Sequence, residues 1–398
     1  MTEIDFLAFD ADNHYYEAVD AFTRHIEPEF ARRAMQWATI NGKERLLVGG
    51  KINRFIPNPT FDPVAKPGAL DQYFRGRNPD GEGIRELFGA LDPISPAYRD
   101  RDARLRVMDD QRMQSAFFFP TLAVGMEQAL IGDPPALMAA FRAFNRWLAE
   151  DWGFAYRERI FAAPYITLID VDNAIAELER ALDQDARIII TGVGPVMAAA
   201  GGRAPSDPIY DRFWARVNDA GVTVALHGGD TAYSAYLEHW GQSSEMQAFA
   251  QNPLRMLLSH DPVHDTVAAM LADRFFIRFP NIRVASIELG SEWVVHLVKK
   301  LAKSFGQAPY AYAEDPLDTL RRHVWVSPYY EDDLGALKDI IGVERILMGS
   351  DWPHAEGLAE PIAYIEDLRR FDYTDAEARL VMRENGLALT KRQVTAVV

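Results

Sequence analysis

The chain contains no cysteine among its 398 residues. Disulfides and thiolate chemistry are therefore excluded, and any bound metal must rest on nitrogen and oxygen donors. Positive charge is also scarce: 42 Lys and Arg stand against 58 Asp and Glu, a formal charge of −16. A surface that acidic repels nucleic-acid phosphates and anionic membranes, so neither is expected as a partner. A small anionic substrate is not excluded, because a bound metal and a local Arg can reverse the field inside one pocket. No apolar run approaches the length of a membrane span. The opening stretch MTEIDFLAFDADNHYYE lacks a basic start, so it does not read as a signal peptide, and a cytoplasmic protein is expected. What the chain does have is apolar mass: 48% hydrophobic residues, enough for a large core.

Short apolar, β-rich runs alternate with helical stretches. The runs are Ile4–Phe9, Ser115–Pro120, Ala162–Ile169, Arg187–Thr191, Val222–His227, Arg283–Leu289, Val324–Tyr329 and Arg345–Gly349. They are nearly continuous, as in strands buried on both faces. Helical spacing occupies Pro135–Arg157, Asn173–Leu182, Ile209–Val217, Pro262–Phe276, Glu292–Phe305 and Asp332–Ile341. Alternation of this kind predicts a parallel sheet, and eight strands are the number that closes a barrel. An open doubly wound sheet is the rival, but no Gly-rich phosphate loop follows the first strand. The expected fold class is therefore α/β, a (β/α)8 TIM barrel.

Residues 35–102 break the rhythm and are expected as an insertion at the barrel mouth. Met35–Lys51 carries Asn41-Gly42 between strand-like pieces, a hairpin signal. Asn53–Asp102 is rich in Pro, Gly and Asp and reads as a long irregular loop. Nothing in the composition divides the chain, so residues 1–398 are expected to form a single barrel domain.

The polar residues fall at strand ends. The first run leads into Asp10-Ala11-Asp12-Asn13-His14, the fifth closes on His227, the sixth on Glu288, and the eighth on Gly349-Ser350-Asp351-Trp352-Pro353-His354. In a closed barrel these C-terminal ends converge on one face. Residues two apart on a strand share a side, so Asp12 and His14 can hold one ion, with His227 and Asp351 reaching in from other strands. Singly, each has a plainer reading: a His at a strand end as a hydrogen-bonding group, an Asp as a helix N-cap. Jointly, imidazole and carboxylate without thiolate suit catalytic Zn²⁺, and also Mn²⁺ or Fe²⁺. Water bound to such an ion can ionise near neutral pH.

The D-x-D-x-H start, His227, the GSDWPHAEG segment and the stretch RFPNIRVASIELGSEWVVHLVKKL together resemble the amidohydrolase superfamily. The closer resemblance is to its amidohydrolase-2 branch of aminocarboxymuconate-semialdehyde decarboxylase-like metal-dependent TIM-barrel proteins. The resemblance implies metal ligands at Asp12, His14, His227 and Asp351, with Asp351 also shuttling a proton. It departs from the family pattern at two places. Asp12 stands where a His is usual, which makes a harder ion such as Mn²⁺ more plausible. Glu288 stands where a His usually meets metal-bound water and substrate; it either transfers protons or holds a neighbouring loop or Arg.

Further candidates surround this set. His354 follows Asp351 closely and is expected in the catalytic pocket. Arg54, in the insertion, can pair with a substrate carboxylate or be a solvated loop residue. Tyr16 and Trp352 can form apolar walls for substrate or pack the barrel rim. His260 and His264 are four apart, but Pro262 between them marks a helix start near Asp261. Arg99–Arg112 mixes both signs and reads as a solvated helix face. The function expected is a metal-dependent, O₂-independent decarboxylase of an aromatic or unsaturated carboxylic acid. A metal-dependent hydrolase of a lactone, ester or amide uses the same ligands, and a non-catalytic binding protein on a decayed site is the third reading. The partner expected is a small-molecule carboxylic acid, and a homo-oligomer is compatible with the resemblance.

Overall fold

The computed structural model describes residues 4–78, 80–198, 201–248, 252–258 and 261–392. Its strands in chain order are β1 Ala8–Tyr15, β2 Met35–Ile40, β3 Lys43–Val48, β4 Lys51–Ile52, β5 Met113–Pro120, β6 Ile160–Ala162, β7 Ile188–Thr191, β8 Val196–Ala198, β9 Gly201–Arg203, β10 Thr223–His227, β11 Arg283–Ile287 and β12 Val324–Val326. One parallel ladder runs β1-β5-β6 and another runs β7-β10-β11-β12. Isolated parallel bridges continue the circle: Tyr165 to Ile190, Val326 to Ile346, and Asn13 to Trp352. The chain is thus a TIM barrel whose staves follow one another in order, although its hydrogen bonds do not form one closed ladder.

The staves are buried along their length, with every residue of β1, β7, β10 and β11 inside. Helices cover them because their apolar stripes have the matching period. The helix Pro134–Asp151 starts where the Asp133 side chain accepts from Ala136 N and Pro134 needs no donor. Leu137, Phe141, Phe144 and Leu148 then recur on its buried face. The helix Val171–Asp183 starts on an Asp170 cap and buries Ala174, Leu178 and Ala181. No helix among the described residues is long and apolar enough to cross a membrane.

Four expected strands are drawn differently by the backbone. The first begins at Ala8 and continues through His14 to Tyr15, beyond Phe9 where the apolar run ends. Asp10, Asp12, Asn13 and His14 are buried in it, so the strand persists because its polar side chains find partners inside the barrel. The third is regular only over Ile160–Ala162, and the seventh only over Val324–Val326. The eighth, expected over Arg345–Gly349, is not a regular strand. Val343–Arg345 form a 3₁₀ turn, and single bonds hold the rest: Leu347 N donates to Val326 O at 2.9 Å and Ala11 N to Met348 O at 2.8 Å.

The hairpin forms as its turn residues dictate. β2 and β3 pair across Asn41 and Gly42, at φ 52° and 73°, the left-handed pair that a two-residue hairpin requires. The loop beyond it lies over the barrel mouth. Gly68 N donates to His354 O at 3.0 Å, Leu70 N to Ala355 O at 2.7 Å, and Ala248 N to Phe55 O at 2.7 Å.

One close approach ties the final helix to the first strand. Gly386, in the helix Asn385–Leu389, faces the Phe9 ring so closely that a Cβ would overlap it. Gly386→Ala sets two effects against each other: helix propensity favours Ala by about 1 kcal/mol, whereas overpacking costs about 1–3 kcal/mol. The contact is too tight for propensity to win, so denaturant unfolding is expected to show a less stable variant. A midpoint above that of the parent protein would contradict this packing.

Candidate metal centre

The site begins with β1. Asp10 accepts from Asp12 N at 3.1 Å, Asn13 Nδ2 at 2.8 Å, Ser350 N at 3.0 Å and Ser350 Oγ at 2.5 Å. These bonds fasten the strand to the segment that carries Asp351. Burial raises the Asp10 pKa to about 6, against the lowering effect of its Ser350 and Asn13 bonds. Asp12 and His14 then meet on one side, with His14 Nε2 3.1 Å from Asp12 Oδ1.

Three other strand ends converge on this pair. At the end of β10, the His227 Nδ1–H donates to Gly228 O at 2.8 Å, leaving the Nε2 lone pair free. That nitrogen lies 3.4 Å from Asp12 Oδ1 and 3.3 Å from Glu288 Oε2. Glu288 Oε2 is 3.5 Å from His14 Nε2, and Asp351 Oδ1 is 3.3 Å from the same nitrogen. Glu288 and Asp351 both have left-handed backbones, at φ 53° and 56°, uncommon outside glycine and typical of strained functional positions. The Tyr329 hydroxyl, donating to Glu288 O at 2.7 Å, helps to hold the first of these turns. Glycines give the ligands room: a Cβ on Gly228 would lie 2.5 Å from Glu288 O, and one on Gly349 would lie 2.7 Å from Asp12 Cβ.

The residues present fit a divalent ion. Asp12, His14, His227 and Glu288 each offer a donor atom, all within 4.8 Å of one another, and Asp351 joins through His14. Ligand atoms about 2.1 Å from an ion stand roughly 3.0 Å apart at right angles and roughly 3.4 Å apart at a tetrahedral angle. The N–O separations of 3.1 to 3.5 Å span that range. His227 also has the outer hydrogen bond that orients a ligating imidazole. His14 Nδ1 has none among the described residues; its ring is held by packing 4.1 Å from the His354 ring.

Charge makes the same case. Burial and the carboxylates of Glu288, Glu356 and Asp12 push the Asp351 pKa well above the usual range. Burial and Glu288 raise Glu356 to about 7, although its own backbone bond lowers it. Burial would lower His14, but its bonds to Asp12 and Glu288 outweigh that and hold it at about 10. Burial would raise Asp12, but bonds to His14 and His227 bring it below the usual carboxylate range. The cluster thus draws positive charge to one spot, which a divalent cation satisfies better than a proton on His14.

His354 extends the site. Its Nδ1 is 2.5 Å from Asp351 Oδ1 and its Nε2 is 2.9 Å from Thr121 Oγ1. Burial and the neighbouring His14 push its pKa well below the usual value, so the ring is neutral. The Thr121 hydroxyl carries one proton and is also 2.9 Å from Tyr15 O. When it donates to Tyr15, His354 Nε2–H donates to Thr121, and the short contact at Nδ1 requires a proton on Asp351. When it turns to His354, Nε2 accepts, the single proton of the neutral ring lies on Nδ1 and Asp351 is ionised, so this arrangement holds one proton fewer than the first.

Arg104 supports the site from behind, where the sequence suggests only a solvated helix face. It is fully buried in the helix Arg101–Asp110, beside Ala103, Leu105 and Met108. It donates to His14 O at 2.7 Å, Ala97 O at 2.7 Å and Asn13 Oδ1. Its guanidinium stands 4.4 Å from the Trp352 ring centre. Burial lowers its pKa to about 9. The mixed charges of the run conceal it; the signal available is that it shares the apolar face of Leu105 and Met108. Asp10, Thr121 and Glu356 are likewise absent from the sequence-derived candidates.

The structure therefore brings together Asp12, His14, His227, Glu288, Asp351 and His354. Glu288 lies among the donors themselves. Tyr16 stacks on Phe61 at 4.6 Å, 5.8 Å from the His354 ring, and its hydroxyl donates to Pro353 O at 3.3 Å. Trp352 packs on Arg104 and Tyr98. Arg54 is not with them: it lines a separate cleft. His264 bonds Asp265 at 2.7 Å within the helix Pro262–Ala272, and His260 lies outside the described residues. Asp261 is the N-cap residue of that helix, without a side-chain capping bond.

Arg104→Met tests the support. Outer partners of a ligand are worth about 10–100-fold in metal affinity, whereas replacing a buried charge by an apolar side chain of similar volume is often tolerated. The variant is expected to fold and to bind Mn²⁺ or Zn²⁺ at least about tenfold more weakly in competition with a chelator. Unchanged affinity would remove Arg104 from this role.

With this geometry in view, the relatives can be placed. The amidohydrolase family model matches residues 93–389. The chain is similar to an amidohydrolase from Mycobacterium avium subsp. paratuberculosis K-10, with 40% identity over 98% of this chain and 100% of that one, and a TM-score of 0.91. It shares its fold with a dihydroxybenzoic acid decarboxylase from Polaromonas sp. JS666 with bound manganese and the inhibitor 2-nitroresorcinol (16% identity, 85% of this chain, 95% of that one, TM-score 0.54). The fold is also that of a 5-carboxyvanillate decarboxylase from Novosphingobium aromaticivorans DSM 12444 complexed with manganese and 4-hydroxy-3-methoxy-5-nitrobenzoic acid (12% identity, 98% of this chain, 97% of that one, TM-score 0.59). The chain belongs to the amidohydrolase family and is an enzyme of the metal-dependent amidohydrolase superfamily.

Proposed function

We propose that the protein is a metal-dependent, O₂-independent decarboxylase of an aromatic or unsaturated carboxylic acid. The observation that carries this reading is a ring of two imidazole nitrogens and three carboxylate oxygens with a proton-holding pair, Asp351 and His354, on its edge. The two decarboxylases that share the fold, each with manganese and a nitro-substituted phenol, support it.

Asp12, His14, His227, Glu288 and Asp351 would hold the ion, either Zn²⁺ or Mn²⁺, and three carboxylates to two imidazoles favour the harder Mn²⁺. The bound ion supplies Lewis acidity that stabilises the negative charge developing as the C–C bond breaks. The chain's own residues manage the proton. Loss of CO₂ leaves an electron pair on carbon that must be protonated. Asp351 Oδ1 and His354 Nδ1 share a proton across 2.5 Å at the cluster's edge, where it can be passed on. The Thr121 hydroxyl accommodates the pair before and after that proton is given up: it accepts from His354 Nε2–H while Asp351 is protonated and donates to Nε2 once the pair has lost a proton and the ring carries Nδ1–H. The stacked Tyr16 and Phe61 rings supply an apolar wall beside His354, suited to an aromatic body.

The test is incubation of the Mn²⁺- or Zn²⁺-loaded protein with hydroxylated benzoic acids and with lactones, esters and amides, in H₂¹⁸O. Release of CO₂ with solvent hydrogen, and no ¹⁸O, in the organic product is expected. Conversion confined to lactones, esters or amides, with ¹⁸O in the product, would make the enzyme a hydrolase. His227→Ala is expected to lower bound metal below about 0.2 equivalents. Asp351→Asn is expected to reduce kcat by about 10²-fold or more, and full activity in either variant would sink the assignment.

A further inference from the structure

Arg54 points to a feature that the metal centre does not use. It lines a cleft of about 810 Å³ whose walls include none of the cluster residues. The volume is that of a small-molecule site, which is typically about 300–1,000 Å³. Three separate segments build it: the β2–β4 hairpin with the chain after it, residues 83–88, and residues 247–248. The segment that carries Arg54 is anchored at the neighbouring Phe55. Ala248 N donates to Phe55 O at 2.7 Å, and Asn53 Oδ1 accepts from Phe55 N at 3.1 Å. A Cβ on Gly125 would lie 2.5 Å from the Phe55 ring.

The lining is unusual for this chain. The protein carries a net charge of −16, yet Arg45, Arg54 and Arg85 converge here against one acid, Glu86. Arg45 and Arg85 have no carboxylate partner among the described residues. Among the described residues Arg54 has a loose one, Glu245 at 3.9 Å. Between the arginines the walls are apolar, from Ile40, Ile56 and Phe88. Guanidinium forks match carboxylate and phosphate oxygens bidentately, and apolar walls between them suit a ring or chain rather than a bare ion.

We propose that this cleft is a second binding site, for an organic anion: an apolar body bearing two or more negative charges on carboxylate or phosphate groups. The site stands apart from the metal centre and does not depend on the decarboxylase reading. It gives an acidic protein a cationic recess, where a small anion is drawn in rather than repelled.

Calorimetric titration of the full-length, metal-loaded protein tests this with benzene-1,3,5-tricarboxylate and phenyl phosphate as probes. At least one probe is expected to bind below about 10 mM and to weaken as salt is added. Each of Arg45→Gln, Arg54→Gln and Arg85→Gln should weaken binding about fivefold or more, and the triple variant should abolish it. All three side chains are at or near the surface, so melting temperatures should be unchanged, and the single variants suffice if the triple one fails to fold. His227→Ala, which disables the metal centre, should bind the probe as the parent does. The stronger probe identifies the head group. The proposal is overturned if neither probe binds, if arginine variants bind as tightly as the parent, or if His227→Ala alone abolishes binding. It is also overturned if inorganic phosphate binds as tightly as phenyl phosphate, because the apolar walls would then contribute nothing.

Discussion

Asp12, Glu288, Asp351 and Glu356 crowd one end of the barrel, and their mutual repulsion constrains everything around them. Two like charges about 4 Å apart repel by about 4 kcal/mol at an effective dielectric of about 20. A few such pairs would cancel the whole stability of a typical domain, about 5–15 kcal/mol. Neutralisation is therefore a condition of folding as well as of chemistry. Two imidazoles and a divalent ion meet it together, and the proton retained by Asp351 and His354 meets it in part.

The same constraint explains the construction of β1. A strand with Asp10, Asp12, Asn13 and His14 all buried is costly in an apolar barrel unless most of its polar groups are matched. Ser350 and Asn13 satisfy Asp10, and Arg104 satisfies Asn13 and the His14 carbonyl. Among the described residues Arg104 has no carboxylate of its own; its charge is spread over carbonyl oxygens and the faces of Trp352 and Phe118. It thereby adds positive potential beneath the acidic cluster while leaving every carboxylate free for the ion.

How legible this is from sequence depends on contrast. His227 stands out because it closes a purely apolar run, and GSDWPHAEG stands out as a polar segment after one. The hairpin is legible because Asn41-Gly42 has few alternatives. β1 is legible only in part: its apolar run stops at Phe9, and although Asp12 and His14 are read as sharing one side of the strand end, nothing in the polar stretch shows that the strand runs buried through to Tyr15. The eighth stave looks like a strand but is held by isolated bonds. Arg104 is hidden because burial of a charge among aromatic rings from distant segments leaves no local pattern. Arg54 illustrates the limit of chemical type alone: an Arg suited to carboxylates lines a cleft of its own.

The left-handed backbone at Glu288 and Asp351 carries a consequence for the evolution of this site. Such a conformation is tolerated by glycine, and by asparagine and aspartate far better than by larger or branched residues. Position 351 is thus pre-set by its own backbone for a short carboxylate or amide, quite apart from the ion. Position 288 holds a longer side chain at a steric cost, which its contact with both imidazoles offsets. Drift at 351 is channelled toward aspartate, asparagine or glycine. At 288 the loss of the ion would remove the reason for glutamate, and relaxation to asparagine or glycine is the downhill route.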